Sequence, residues 1–185
     1  TSDETAFAAS AYGAGRHVAV GNRGGTIHSN DATVWTSAEP LTGNNLRSIV
    51  HAQDQFIAVG GSGLILQSND GMAWAQVTGA TDSVYGLVEM NDRLFAVGSP
   101  NAVLTPSIDS PTRSYQQSGH RRWTDDIAAG NGVLVAVGGE FGGSFFERFD
   151  AAILSSNDAG NTWIRQNALG SAYLASIAFG EDRFV

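Results

Sequence analysis

Apolar residues along this chain fall into short runs and alternations of roughly four to eight positions, broken by Gly, Asn, Asp and Ser. Nowhere do they take the spacing of an amphipathic helix. One such stretch predicts four strands, A at 46–52, B at 55–60, C at 64–68 and D at 73–78. The links between them are Gln53-Asp54, Gly61-Ser62-Gly63 and Asn69 to Met72. Tight turns of this kind often need a positive φ, which Gly, Asn and Asp tolerate best.

The stretch recurs. Its strand B ends in Ala19-Val20-Gly21, Ala58-Val59-Gly60, Ala96-Val97-Gly98 and Ala136-Val137-Gly138, and each copy is followed by a Ser-x-Asp turn at Asp31, Asp70, Asp109 and Asp158. The aspartates are spaced 39, 39 and 49 residues apart, and the Ala-Val-Gly spacing places the excess between Gly139 and Asp150. One loop of one repeat is therefore enlarged. A fixed period of this length marks a repeat architecture, in which stacked units bury the apolar faces that no unit can bury alone. Four antiparallel strands per unit of about 40 residues make the blade of a β-propeller. A β-solenoid is the alternative, but its coils usually have shorter periods. The expected fold is all-β: one propeller domain or propeller fragment over residues 1–185, with repeats at about 6–40, 46–80, 84–118 and 123–168 and a partial one at 174–185.

The strings Ser29-Asn30-Asp31 to Trp35, Ser68-Asn69-Asp70-Gly71 to Trp74, and Ser156-Asn157-Asp158-Ala159-Gly160-Asn161-Thr162-Trp163 resemble the Asp-box, or BNR repeat, of pattern Ser/Thr-x-Asp-x-Gly-x-Thr-Trp. Only the last matches in full. The first two are one residue shorter, and the third, Ser107-Ile108-Asp109 to Tyr115, is longer and ends in Tyr. Together with the Ala-Val-Gly strand, they resemble the propellers of the photosystem II assembly-factor type and their bacterial relatives. Sialidase-like propellers carry the same box. The resemblance implies boxes on the C to D turns, away from the usual ligand face, and an extracytoplasmic or secreted protein. Physically the box reads as a staple: Asp and Ser accept hydrogen bonds from turn N–H groups, and Trp supplies apolar surface for a seam between blades.

A net charge of −8 argues against a nucleic-acid partner, because that affinity comes largely from clustered Lys and Arg. All ten basic residues are Arg, so lysine-based chemistry is excluded, and with no Cys so are disulfides, thiolate nucleophiles and Cys-ligated zinc. No run of about 18 apolar residues is present to span a membrane. The residues predict no cofactor and no metal: His17, His28 and His51 sit at separate repeat positions and read as strand residues. Ala175 to Val185 restarts the repeat, with Val185 aligned on Val18, Ile57, Phe95 and Val135. This predicts the inner strands of a fifth blade in an incomplete ring, and further blades from a longer parent chain or from a second chain.

In a propeller the B to C and D to A connections share one face, usually the ligand face. The enlarged B to C loop at 139–150 and the preceding D to A segment at 120–126 should meet there. They bring together Arg121, Arg122, Trp123, Glu140, Phe141, Phe145, Phe146 and Arg148. Long loops on a rigid scaffold are where function concentrates, and aromatic, Arg and carboxylate side chains suit a glycan or an acidic peptide. No catalytic set stands out. The expectation is a non-catalytic scaffold that binds a protein or glycan. The alternatives are a sialidase-like glycosidase, drawing on Arg121, Arg122, Glu140, Glu147 and Asp126, and an assembly or surface-structural subunit. Against the glycosidase, no Arg-Ile-Pro-like motif occurs, and its candidate residues cluster on one blade.

Overall fold

The computed structural model describes residues 6–77, 82–99, 102–104, 116–117, 123–140, 150–166 and 173–185. It consists of two compact units, residues 1–84 and 85–185. In the first unit, β1 (Phe7–Gly13), β2 (Arg16–Gly21), β3 (Thr26–Ser29) and β4 (Thr36–Ala38) form one four-stranded antiparallel blade. A second is formed by β5 (Leu46–Ala52), β6 (Gln55–Gly60), β7 (Ile65–Ser68) and β8 (Ala75–Val77). These match the strands expected from the apolar pattern to within about two residues at each end.

The second unit holds two more four-stranded sheets. The third blade comprises β9 (Val84–Met90), β10 (Arg93–Gly98), β11 (Ala102–Leu104) and β12 (Gln116–Gln117). The fourth comprises β13 (Trp123–Gly130), β14 (Val133–Glu140), β15 (Asp150–Ser156) and β16 (Ile164–Gln166). A hairpin of β17 (Phe179–Gly180) and β18 (Arg183–Phe184) follows, and Ala178 and Val185 extend it by exchanging backbone hydrogen bonds at 2.8 and 2.9 Å. The restarted repeat thus forms its A–B hairpin, although residues 173–178 are not in strand.

The core of each unit lies between blades, as a repeat with one-sided apolar strands requires. Val18 and Val20 of β2 pack with Leu46, Ile49, Phe56, Ala58, Leu64 and Leu66 of the next blade, with Trp74 along the edge. In the second unit Phe95 and Val97 of β10 pack with Ile127, Leu134, Ala136 and Leu154, with Trp163 in the same edge position. Phe56 and Phe95 are fully buried, and burial of such a ring stabilises by about 1.5–3 kcal/mol.

The recurrent Ala-Val-Gly also has a steric cause. A Cβ on Gly21 would stand 2.7 Å from Phe7 Cα, and one on Gly60 3.0 Å from Leu46 Cα, because strand A passes over strand B there. At the same level strand A carries a bulge, between Phe7 and Ala9, Leu46 and Ser48, and Thr124 and Asp126. Such bulges add twist and bend the strand.

Candidate functional site

The Ser-x-Asp turns come first, because they decide which carboxylates are left for chemistry. Asp31 Oδ1 accepts the N–H groups of Thr33 and Val34, both at 2.9 Å, and the Ser29 hydroxyl at 3.0 Å. Asp70 Oδ1 repeats this with Met72 and Ala73 at 2.9 Å and Ser68 at 3.0 Å. Asp158 Oδ1 accepts Thr162 N–H and the Ser156 hydroxyl at 2.8 Å, and its Oδ2 takes the Thr162 hydroxyl at 2.6 Å. Each Ser is buried and accepts from the turn in return, Ser68 Oγ from Gly71 N–H at 2.8 Å and Ser156 Oγ from Gly160 N–H at 2.9 Å. All three turns join strands C and D, as the sequence predicts. Ser107 and Asp109 lie outside the described residues.

These bonds go to the ionised form and hold all three carboxyls below their ordinary range. For Asp31 the main cause is the Val34 N–H, for Asp70 the Ala73 N–H. For Asp158, lowered to about 2, it is the Thr162 hydroxyl. A carboxylate so engaged is a poor general acid or base near neutrality.

The box Trp behaves as a seam residue where a preceding blade packs against it. Trp74 and Trp163 lie along the two cores, whereas Trp35 of the first blade is 39% exposed. Trp35 and Trp163 donate their indole N–H to Ala32 O and Gly160 O, both at 3.2 Å. The Trp74 indole N–H is buried without a hydrogen-bond partner among the described residues.

On the opposite face, the B to C connections of the first two blades are single 3-10 turns, Asn22–Gly24 and Gly61–Gly63. The incoming D to A segment clamps each: Asn45 Oδ1 accepts Arg23 N–H at 3.0 Å, and Ser83 Oγ accepts Ser62 N–H at 3.1 Å. The fourth blade departs from this. Its hairpin runs on through Gly139 paired with Ala151 and Glu140 paired with Asp150. Trp123, placed by sequence in the D to A connection, is instead the first residue of β13 and pairs with Gly139. The backbone therefore brings Trp123 beside the prolonged B–C stem that carries Glu140. Arg121, Arg122, Phe141, Phe145, Phe146 and Arg148, and with them Glu147, lie outside the described residues.

Two polar contacts had no warning in the sequence. Arg16 donates from Nε to Asn30 Oδ1 at 3.1 Å and from its terminal nitrogen to Asp70 O, tying the first blade to the box of the second. Asp126 Oδ2 accepts the Ser176 hydroxyl at 2.7 Å and the Ile177 N–H at 3.0 Å, while its Oδ1 accepts Ile127 N–H at 2.9 Å. Asp126, a candidate carboxylate for the glycosidase alternative, thus docks the C-terminal segment. The histidines stay apart: His17 lies tilted against Tyr12 at 4.6 Å between ring centroids, and His51 meets Phe56 edge-on at 4.7 Å. No group of three or more His, Cys, Asp or Glu with metal-binding geometry is present among the described residues. No helix among them is long and apolar enough to cross a membrane.

No protein-family model matches the chain. No curated protein matches it either. Solved structures do. YCF48 from Cyanidioschyzon merolae is similar with a TM-score of 0.70 at 12% identity, over 99% of this chain and 63% of that one. YCF48 bound to D1 peptide is similar with a TM-score of 0.56 at 16% identity, over 87% and 66%. An ancestral GH74 enzyme is similar with a TM-score of 0.66 at 16% identity, over 91% and 26%. The chain spans 66% or less of each of these neighbours. Likeness at such identities speaks for the fold alone, and with the four-stranded antiparallel sheets it makes this a β-propeller fold.

Proposed function

We propose that this chain is a non-catalytic propeller scaffold of the Asp-box type that binds a protein segment on the face carrying its B to C and D to A connections. The observation that carries the reading is the fourth blade. Where the first two blades close in three-residue clamped turns, it continues into a prolonged hairpin stem that pairs through Glu140 and Asp150, with Trp123 beside it. Residues 141–149 at its tip and the adjacent Arg121 and Arg122 supply Phe and Arg, which binding hot spots favour. Phe141, Phe145, Phe146 and Trp123 are assigned as apolar anchors, and Arg121, Arg122 and Arg148 as partners for acidic groups. A protein segment is preferred to a glycan because one similar propeller, YCF48, has been seen bound to a D1 peptide. The same reading puts the protein outside the cytoplasm, an assignment resting on the family resemblance.

The test is selection of binding peptides from a random display library against the intact chain, followed by affinity measurement. Trp123→Ala should weaken a selected peptide by about thirtyfold or more, the cost of a hot-spot aromatic of at least ~2 kcal/mol, with unchanged circular dichroism. Deletion of residues 141–148 should abolish binding. Affinity that survives the deletion refutes the site. Turnover of a sialoside that is lost in Glu140→Gln or Glu147→Gln would replace the scaffold reading with the glycosidase one.

A further inference from the structure

All five A–B hairpins turn through two left-handed residues: Ala14-Gly15, Gln53-Asp54, Asn91-Asp92, Asn131-Gly132 and Glu181-Asp182, with φ between 47° and 76°. Such a hairpin turn needs positive φ at both positions, and Asn-Gly meets that need best. Only the fourth hairpin has this pair, which occurs nowhere else in the chain. The pair that suits the turn is also chemically labile. A glycine nitrogen has no side chain beside it to hinder attack on the preceding amide.

The structure separates Asn131 from other asparagines. Closure of a cyclic imide uses the N–H that follows Asn, and after Asn22, Asn30, Asn69, Asn91 and Asn161 that group is engaged. Arg23 N–H donates to Asn45 Oδ1 at 3.0 Å, Asp31 N–H to Ser29 Oγ at 3.2 Å and Asp70 N–H to Ser68 Oγ at 3.3 Å. Asp92 N–H donates to Glu89 Oε1 and Thr162 N–H to Asp158 Oδ1, both at 2.8 Å. Asn91 is the telling comparison, because it occupies the same turn. Its acceptor, Glu89, stands two residues before it, where the fourth blade has Ala129. Gly132 N–H has no acceptor among the described residues, and Asn131 and Gly132 are both exposed.

We infer that Asn131 is a site of spontaneous deamidation, a covalent modification that acts on the contact Asn131 makes. The Gly132 nitrogen attacks Asn131 Cγ, and the new C–N bond displaces Nδ2, which leaves as ammonia with the Gly132 proton. Water then opens the imide at one of its two carbonyls, leaving an aspartate or an isoaspartate. The departing Nδ2 is the atom that donates to Asp182 Oδ1 at 3.5 Å. A hydrogen bond to the β17–β18 hairpin thus becomes an opposition of two carboxylates. Next in the chain, Gly130 leaves its Cβ space to the Phe179 ring of the same hairpin, so the modified turn adjoins the seat of β17.

Trypsin cleaves after Arg122 and Arg148, and in the peptide 123–148 Asn131 is the sole Asn or Gln. The intact folded chain, held in mildly alkaline buffer and then digested, should show this peptide gaining the mass of NH exchanged for O. The gain should come about tenfold faster than at Asn69 and Asn91 in the peptide 48–93, where a hydrogen bond must first break. Asn131→Asp, which mimics one product, should speed exchange of the Ala178 and Val185 amides about two- to fivefold, the effect of an exposed charge pair, and adding Asp182→Asn should reverse it. A folded chain that leaves 123–148 unmodified while the urea-unfolded chain modifies it would overturn the site. Exchange unchanged by Asn131→Asp, or not restored by Asp182→Asn, would overturn its action through Asp182.

Discussion

Replacing Gly71 with alanine tests whether the box turn is built for the seam it adjoins. Gly71 has a φ of 72°, and a Cβ there would stand 2.5 Å from Val18 Cγ2 and 3.3 Å from Phe56 Cε2. Two costs therefore add. The left-handed conformation costs a residue with a Cβ about 1–2 kcal/mol, and forcing a methyl into a filled core costs about 1–3 kcal/mol. The sum is a loss of about 2–5 kcal/mol, a drop in Tm of about 4–20 °C at roughly 2–4 °C per kcal/mol for a chain of this size. The first blade contains the internal control. Ala32 holds the same box position at a φ of 59° and is exposed among the described residues, so it bears only the backbone cost. Ala32→Gly should be neutral or stabilise by up to ~1 kcal/mol, the relieved backbone strain less the extra entropy of an unfolded glycine. Urea unfolding followed by tryptophan fluorescence and circular dichroism measures both. If Gly71→Ala lies within ~0.5 kcal/mol of wild type, the argument that blade packing dictates glycine in the box is wrong.

The box carboxylates make a pH prediction. Their folded pKa values are depressed, so their contribution is complete above the unfolded value of 3.8 and is lost as pH falls toward the folded one, about 2 for Asp158. Thermal stability should be insensitive to these groups above about pH 5 and decline between about pH 4 and 2. Thr162→Val, which removes the largest cause, should move the Asp158 titration seen by carboxyl-carbon NMR upward from about 2 toward 3.8, and an unchanged midpoint would reject the assignment. Asp126→Ala removes the acceptor for Ser176 and Ile177, and hydrogen bonds to a charged group contribute about 1.5–3 kcal/mol. The amides of Ala178 and Val185, which close the C-terminal hairpin, should then exchange roughly ten- to a hundredfold faster, and unchanged exchange would show that Asp126 does not hold this segment.

The blades were legible because their determinants are local and repeated. Alternation set the strands, and turn chemistry set the ends of β5, β6 and β7. The Ser-Asp pair predicted hydrogen bonds that Asp31, Asp70 and Asp158 then make. The enlarged loop could be read as an interval of 49 against 39, and its stem at Glu140 and Asp150 is where that interval places it. Arg16 and Asp126 were not legible, because each acts across a seam and neither is kept in every repeat. Arginine returns at Arg93 and Arg183 but gives way to Gln55 and Val133, and the equivalents of Asp126 include Ala9 and Ser48, so residue type alone marks neither contact.

What distinguishes one blade from another is accordingly found in its departures from the repeat, and these are of two physical kinds. Some compensate for a neighbour: Gly13 makes room for His51, Gly130 for Phe179, and Asp126 satisfies an N–H that β17 and β18 leave unpaired at Ile177. The other is the prolonged β14–β15 hairpin, whose stem at Glu140 and Asp150 has no counterpart in the first two blades. A structural explanation of the prolonged β14–β15 hairpin would need a neighbouring blade that it braces, yet the clamped 3-10 turns at Arg23 and Ser62 hold their blades without one. Ordering an added loop costs about 1–2 kcal/mol per residue of backbone entropy, which a purely structural role would have to offset by burial. Trimming 141–148 therefore separates the two kinds of departure. A loop that braces the fold lowers the unfolding midpoint when removed, whereas one kept for a partner leaves the midpoint in place and takes only the binding with it.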